Sequence, residues 1–217
     1  INQWDRTAFE KDKYGRNFLG VPPQERADYA FLQHILKSLN KDTGRCAILF
    51  PHGVLFRNEE KEMREKLIRS DLLECVIGLG PNLFYNSPME ACIIICRTKK
   101  TDSHKEHVLF INAVREVTRK NAESFLEHSH IEKIAKAYEA YKTDHNITKK
   151  VSIRDIEKNS FSLSIPLYIQ TDTSGKEENQ ESVQECYKQW KSSSVLMRRN
   201  YSALNKLMKD GVKNAQI

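Results

Sequence analysis

The stretch Leu73-Glu-Cys-Val-Ile-Gly-Leu79-Gly-Pro-Asn-Leu-Phe-Tyr85, with Glu90-Ala-Cys-Ile-Ile-Ile-Cys96 close behind it, decides the fold. Each part holds a short continuous apolar run bounded by turn residues, the pattern of a strand covered on both faces. The connection from Leu79 to Ala91 is too short for a helical crossover, so an antiparallel strand is expected at that end of the sheet. Upstream, Arg45-Cys-Ala-Ile-Leu-Phe50 lies between Gly44 and Pro51-His52-Gly53 and reads as another strand buried on both faces. His107 to Ile111 adds a possible fourth.

Helical patterns sit between these runs. Asp28 stands as a candidate N-cap before Ala30, Phe31, Ile35, Leu36 and Leu39, which recur at helical spacing. Residues 59–69 are charged and amphipathic, with Met63, Leu67 and Ile68 as the inner face. Alternating helix and strand predicts an α/β fold with a mainly parallel sheet. Residues 1–26 are polar and aperiodic, the pattern of a long loop. After residue 115 the character changes. A helix is expected over 122–142, carrying Phe125, Leu126, Ile131, Ile134, Tyr138 and Tyr141, followed by extended pieces at 151–156 and 163–169. The expected division is a core over 1–115, an adapter segment over 116–169, and a linker with a basic helix over 170–217.

That last helix carries Val183, Tyr187, Trp190, Ser194, Met197, Tyr201, Leu204 and Met208 at alternating spacings of three and four, an a/d seam. Seven Lys or Arg stand against two acids between Val183 and Ile217, so the helix is also basic. Two readings stay open: the seam packs on this chain's own core, or it docks on another subunit's helices beyond the polar stretch 170–181.

The 217 residues carry 35 Lys and Arg against 29 Asp and Glu, a net charge of +6. That excess permits a polyanionic partner without requiring one. No apolar run approaches the eighteen residues of a membrane-spanning helix, and no secretory signal pattern opens the chain. It begins at Ile1 rather than Met, so a processed chain or a fragment is expected. The five cysteines, Cys46, Cys75, Cys92, Cys96 and Cys186, form no C-x-x-C pair and read as reduced, mostly buried thiols.

No metal site is expected. His104 and His107 stand in a Lys- and Asp-rich turn, His128 and His130 accompany no HExxH motif, and solvated histidines are the reading. No glycine-rich phosphate or dinucleotide cradle and no nucleophile elbow occurs. What remains is a pair of loops after strand ends, Pro51-His-Gly-Val-Leu-Phe56 and Pro81-Asn-Leu-Phe-Tyr-Asn86. Open α/β sheets place their sites outside the carboxyl ends of strands. Aromatic faces with amides suit a flat base, stacked and held at its edge.

At these loops the chain resembles a known family. Asp28-Tyr-Ala-Phe-Leu-Gln-His34, Pro51-His-Gly-Val-Leu-Phe-Arg57, Leu72 through Tyr85, Val108-Leu-Phe-Ile-Asn112 and Asn159 through Tyr168 together resemble the modification subunit of type I restriction–modification systems. The resemblance covers about residues 1–169. It implies a Rossmann-like methyltransferase that uses S-adenosylmethionine to methylate the N6 amine of adenine in DNA. The family's catalytic Asn-Pro-Pro-aromatic tetrapeptide is followed by a short polar segment and a Trp, which Ile1-Asn-Gln-Trp-Asp5 resembles. The tetrapeptide is therefore expected just before Ile1 and the glycine-rich cofactor motif further upstream, so no cofactor is expected on these residues alone.

By the same resemblance, Phe84 stacks on the flipped adenine and Tyr85, Asn82, Pro51 and His52 line the target-base pocket. Asn2, Trp4, Arg6, Lys11, Lys13 and Arg16 face DNA from the loop 1–26. On the docking reading of the seam, Tyr187, Trp190, Met197, Tyr201, Leu204 and Met208 form the partner-docking helix. The implied partners are DNA, a specificity subunit, a second modification subunit and the restriction subunit, in a prokaryotic cytoplasm and with no membrane. Family sheets have seven strands, the last antiparallel beside the fifth and sixth, and 45–50, 73–79 and 90–97 resemble the last three. Strand 45–50 is then expected at an edge that a preceding half or another chain covers. Two rival readings remain: a stand-alone, non-catalytic DNA- or protein-binding module with a degenerate half domain, and a nucleic-acid binder that uses only its basic tail.

Overall fold

The computed structural model describes residues 4–84, 87–120, 123–144, 147–169, 187–188 and 190–202. The chain divides into two units, Ile1–Thr171 and Asp172–Ile217. The first is a five-stranded sheet with helices on both faces. In chain order it contains α1 (Arg6–Glu10), α2 (Asp28–Ser38), β1 (Arg45–Pro51), α3 (Lys61–Arg69), β2 (Leu73–Leu79), β3 (Ala91–Arg97), β4 (His107–Ala113), β5 (Thr118–Lys120), β6 (Glu123–Phe125), α4 (His128–Ala140), β7 (Thr148–Ser152) and α5 (Ile153–Lys158).

The sheet order is β1-β3-β2-β4-β7, and β5 with β6 forms a separate two-stranded ribbon. The antiparallel strand expected after the short loop is β3, which lies between β1 and β2 and runs against both. The expectation of a mainly parallel sheet is corrected: only the β2–β4 pairing is parallel, since β7 also runs against β4. The physical reason is the insertion of β3. α3 joins β1 to β2 as an ordinary crossover, but the two strands it joins do not touch.

β2 is buried at every position, as its apolar run predicts. β1 is not, and its reading as a strand buried on both faces is corrected. It lies at the edge of the sheet, and Arg45, Ala47 and Leu49 are exposed on one face while Cys46, Ile48 and Phe50 turn to the core. One layer packs Tyr29, Leu32 and Leu36 of α2 and Met63, Leu67 and Ile68 of α3 against Val76, Cys92, Ile94 and Phe110. The other packs Ile134, Ala137 and Tyr138 of α4 and the buried Tyr141 against Cys75, Ile77, Leu109 and Ile111. Each fully buried Leu or Ile contributes about 1.5–3 kcal/mol.

Several local expectations change. Residues 1–26 are not all loop, because Asp5 accepts from Ala8 N–H at 2.8 Å and starts α1. Asp28 is not the N-cap of α2. Ala27 takes that place and Asp28 turns to Arg57 instead. The helix expected over 122–142 is shorter, because Glu123–Phe125 is drawn into the ribbon and Glu127 opens α4 through a capping box with His130. Residues 151–156 are extended only to Ser152, whose side chain caps α5. Ile165–Leu167 is a short 3₁₀ turn rather than a strand. No described helix is long and apolar enough to cross a membrane.

In the second unit, residues 187–188 and 190–202 are helical where described. Tyr187, Trp190, Met197 and Tyr201 are exposed, and the rings of Tyr187 and Trp190 stack 6.0 Å apart. Leu204 and Met208 lie outside the described residues, as do the linker 170–181, Asn2 and Tyr85.

Candidate functional site

β1 and β2 both run against β3, so their carboxyl ends open on the same edge of the sheet. Pro51 pairs with Ala91 and Gly78 with Cys92, which places the loops after β1 and β2 one strand apart. The loop after β1 turns at once into a 3₁₀ helix over His52–Leu55. It rests on buried charge. Arg64, 1% exposed, donates from Nε to Phe161 O at 2.8 Å and from Nη1 to Arg57 O at 3.0 Å. Arg57 in turn reaches Asp28 at 2.9 Å and Glu60 at 3.4 Å. A side chain at Gly53 would meet Arg57 Nε at 2.5 Å, so the guanidinium packs where only glycine leaves room. Burial pushes the Glu60 carboxyl up to about 7 against the pull of Arg57, and its Oε1 has no hydrogen-bond partner.

The loop after β2 is held more lightly. Asn82 adopts φ 60°, a left-handed conformation that Asn tolerates better than most residues. Its carbonyl accepts from Ser124 N–H at 2.9 Å. Phe84 and Ser87 bridge across the loop, and the Phe84 ring is 38% exposed. His52 joins the two loops. Its N–H donates to Glu90 O at 3.1 Å, and its Nδ1 lies 3.4 Å from the Glu90 carboxylate. Burial lowers the His52 imidazole below its ordinary value, with Glu90 opposing, which favours the neutral ring at pH 7. The structure thus brings Pro51, His52, Asn82 and Phe84 to one edge.

The N-terminal residues gather elsewhere. Trp4 and Gln24 exchange two hydrogen bonds, and Arg6 donates to Pro22 O at 3.1 Å. Arg16 pairs with Asp12, and both Lys13 and Arg16 lie over the Tyr14 ring, at 5.1 and 5.2 Å. Lys11 is exposed. Trp4, Phe9, Arg16, Phe31 and His34 border an open cavity of about 380 Å³ against α2. Of the six residues expected to face DNA, Trp4, Arg6, Lys13 and Arg16 therefore already hold partners within the chain.

One histidine reading is corrected. His104 is not merely solvated. Its ring stacks on Tyr141 at 3.5 Å, and its Nδ1 lies 3.1 Å from Glu74 Oε1. Arg97 donates to the same carboxylate at 2.9 Å and Tyr138 at 2.7 Å. Burial would raise the Glu74 carboxyl, but these hydrogen bonds outweigh it and hold it below its usual range. Among the described residues, no three His, Cys, Asp or Glu side chains converge as metal ligands. Cys46, Cys75, Cys92 and Cys96 are free thiols, and Cys46 faces Cys96 across β1 and β3.

Sequence reasoning passed over Asp28, Glu60 and Arg64 as supports of the first loop. The signal was available, since Glu60 and Arg64 sit at helical spacing from Met63, Leu67 and Ile68 and so share the inner face. The one glycine in the strand-to-helix turn after β1 is occupied by Arg57, and no glycine-rich turn meets a helix N-terminus there.

One antiparallel strand between two that share a direction, with helices on both faces, is the arrangement that the resemblance to Rossmann-like methyltransferases implied. The chain belongs to the N-6 DNA Methylase family, which its residues 1–179 match. It is 35% identical over 178 residues to the type I restriction enzyme MjaVIII methylase subunit of Methanocaldococcus jannaschii, covering 76% of this chain and 30% of that protein. It is 30% identical over 165 residues to the HindI methylase subunit of Haemophilus influenzae, covering 70% of this chain and 36% of that one. The crystal structure of a type I restriction-modification methyltransferase subunit from Streptococcus thermophilus superposes with TM-score 0.71 at 33% identity, over 77% of this chain and 36% of that chain. The chain thus spans about a third of the length of these relatives.

Proposed function

We propose that the chain forms part of a type I restriction–modification DNA methyltransferase subunit that transfers a methyl group from S-adenosylmethionine to the N6 amine of adenine. Its share is the far wall of the target-base pocket, not the catalytic or cofactor motifs. The carrying observation is the exposed Phe84 ring on a lightly held loop, at the sheet edge where strand ends open and beside the braced loop of Pro51 and His52. Base stacking on an aromatic is worth about 1–3 kcal/mol, and extruding a base from the duplex costs a few kcal/mol. Phe84 therefore offsets extrusion, with Tyr85, Asn82, Pro51 and His52 closing the pocket.

The free edge of β1 would pair with the cofactor-binding half of the sheet, whose helices would cover the exposed Leu49. The Trp4–Arg16 segment would lie along the DNA. The exposed seam of Tyr187, Trp190, Met197 and Tyr201, continued by Leu204 and Met208, would dock on the specificity subunit, with a second modification subunit and the restriction subunit completing the assembly in a prokaryotic cytoplasm. The family membership favours this reading over a stand-alone binding module. The test is adenine methylation by the intact subunit with its partners, comparing Phe84→Ala with the parent. A loss of about 5- to 150-fold is expected, the kinetic equivalent of one stacking contact. Unchanged methylation would overturn the assignment of the pocket.

A further inference from the structure

The ribbon of β5 and β6 has no place in the pocket just described, yet the fold holds it there. β4 runs parallel to β2, with Leu79 paired to Ala113, so the chain leaves both strands on the same edge. The segment after β4 closes on the loop after β2 in two places. Ser124 N–H donates to Asn82 O at 2.9 Å. Gly80 packs so near that a side chain on it would meet Val114 O at 2.8 Å and Val117 at 3.0 Å. The ribbon is therefore fixed against the loop that carries Phe84.

Its chemistry is cationic. Arg115, Arg119 and Lys120 are exposed, and none of them makes an ion pair among the described residues, while the nearby Glu116 is taken by Lys133 at 2.6 Å. Arg119 opposes Ser124 in the ribbon, so their side chains share one face. The other face carries Lys120, with the exposed Glu123 directly across from it, and the 46% exposed Phe125. A two-stranded ribbon is also an element that the major groove admits.

We propose that the ribbon strands Thr118–Lys120 and Glu123–Phe125 are a DNA contact in their own right, in which Arg119 and Lys120 hold backbone phosphates flanking the extruded nucleotide. This rests on the reading of Phe84 as the base platform. The phosphate contacts fix register and steady the strand whose base leaves the stack. They read no sequence.

The test is duplex binding by the intact methyltransferase assembly as a function of salt. Each phosphate contact contributes about 0.9 to the slope of log K against log salt, so Arg119→Gln with Lys120→Gln should reduce that slope by about 2. Melting temperature and S-adenosylmethionine binding should stay at parent values, since neither side chain makes an ion pair among the described residues. Lys120→Glu alone, at an exposed position, should weaken duplex binding further than Lys120→Gln. An unchanged slope, with Phe84→Ala still lowering methylation as expected, overturns the ribbon contact and leaves the pocket standing. If Phe84→Ala also leaves methylation unchanged, the pocket itself falls. Lost subunit assembly with an unchanged salt slope would assign the ribbon to an acidic protein surface and overturn the proposal.

Discussion

The two loops at the working edge of the sheet are held in opposite ways. Residues 51–57 sit on buried charge: Arg64 donates to two carbonyls, Arg57 bridges Asp28 and Glu60, and Leu163 N–H closes onto Leu55 O at 2.8 Å. The described residues of the loop after β2 have the Phe84–Ser87 bridge, a bond from the ribbon, the bond from His52 N–H to Glu90 O and an open aromatic ring, and the buried Ser124 Oγ beside them lacks a hydrogen-bond partner. The difference teaches a division of roles. The first loop is a rigid wall whose geometry the core dictates. The second has few buried contacts, so it is the one able to adjust to a ligand.

The largest test of that contrast is Arg64→Met. The change keeps apolar volume but leaves Phe161 O and Arg57 O buried without their donor. A loss of at least about 3 kcal/mol is expected, read as a lower denaturant midpoint at constant slope. A midpoint equal to the parent's would mean that packing alone holds the first loop.

Glu60 sharpens the same point through pH. Its folded carboxyl titrates near 7, above the ordinary value of 4.5, because burial disfavours the charge. The folded state therefore binds this proton more tightly than the unfolded chain. Stability from this group is fully present below about pH 4.5 and is lost as pH rises through about 7. At 1.36 kcal/mol per pH unit the span is at most about 3 kcal/mol. Glu60→Gln should flatten the decline between pH 5 and 7.5, measured by denaturation at each pH. A decline that survives the substitution would place the titrating group elsewhere.

Much of this architecture was legible from residues alone. The apolar runs at 45–50, 73–79 and 90–96 are strands, the short link between the last two forced β3 to run backwards, and Met63, Leu67 and Ile68 are the inner face of α3. What failed has physical causes. An apolar run reports what a strand can bury, not how many faces are covered, so β1 and β2 look alike in sequence and differ in exposure. Periodicity carried the helix expected over 122–142 through Phe125, because a three-residue ribbon strand is too short to show alternation. The edge loops were found because they follow strand ends. The charges beneath them were missed because charged residues on a helix are read first as solvated, although the spacing of Glu60 and Arg64 placed them inside.

Gly80→Ala tests the lighter loop directly. The added methyl would come within 2.8 Å of Val114 O and 3.0 Å of Val117, so either the loop or the segment after β4 must shift. Overpacking of this kind costs about 1–3 kcal/mol. Because the loop has few other contacts, the shift should appear in the loop rather than in the melting of the whole sheet. Hydrogen exchange of the Ser124 amide, which bonds to Asn82 O, is the measurement. Unaltered protection there would mean that the ribbon and the loop are not coupled.

The smallest stability effect is expected at Phe84, and that smallness is what matters. The ring is 38% exposed, and its bridge to Ser87 is made by the backbone, so Phe84→Ala removes little that the folded chain uses. A change within about 0.5 kcal/mol is expected from thermal melting. The same substitution is expected to cost about 1–3 kcal/mol in handling an extruded base. A residue whose removal weakens ligand handling more than folding is part of a working surface. One whose removal does the reverse is packing. If Phe84→Ala melts as early as Gly80→Ala, the ring belongs to the loop's own support, and the contrast between the two loops fails at the point where it was drawn.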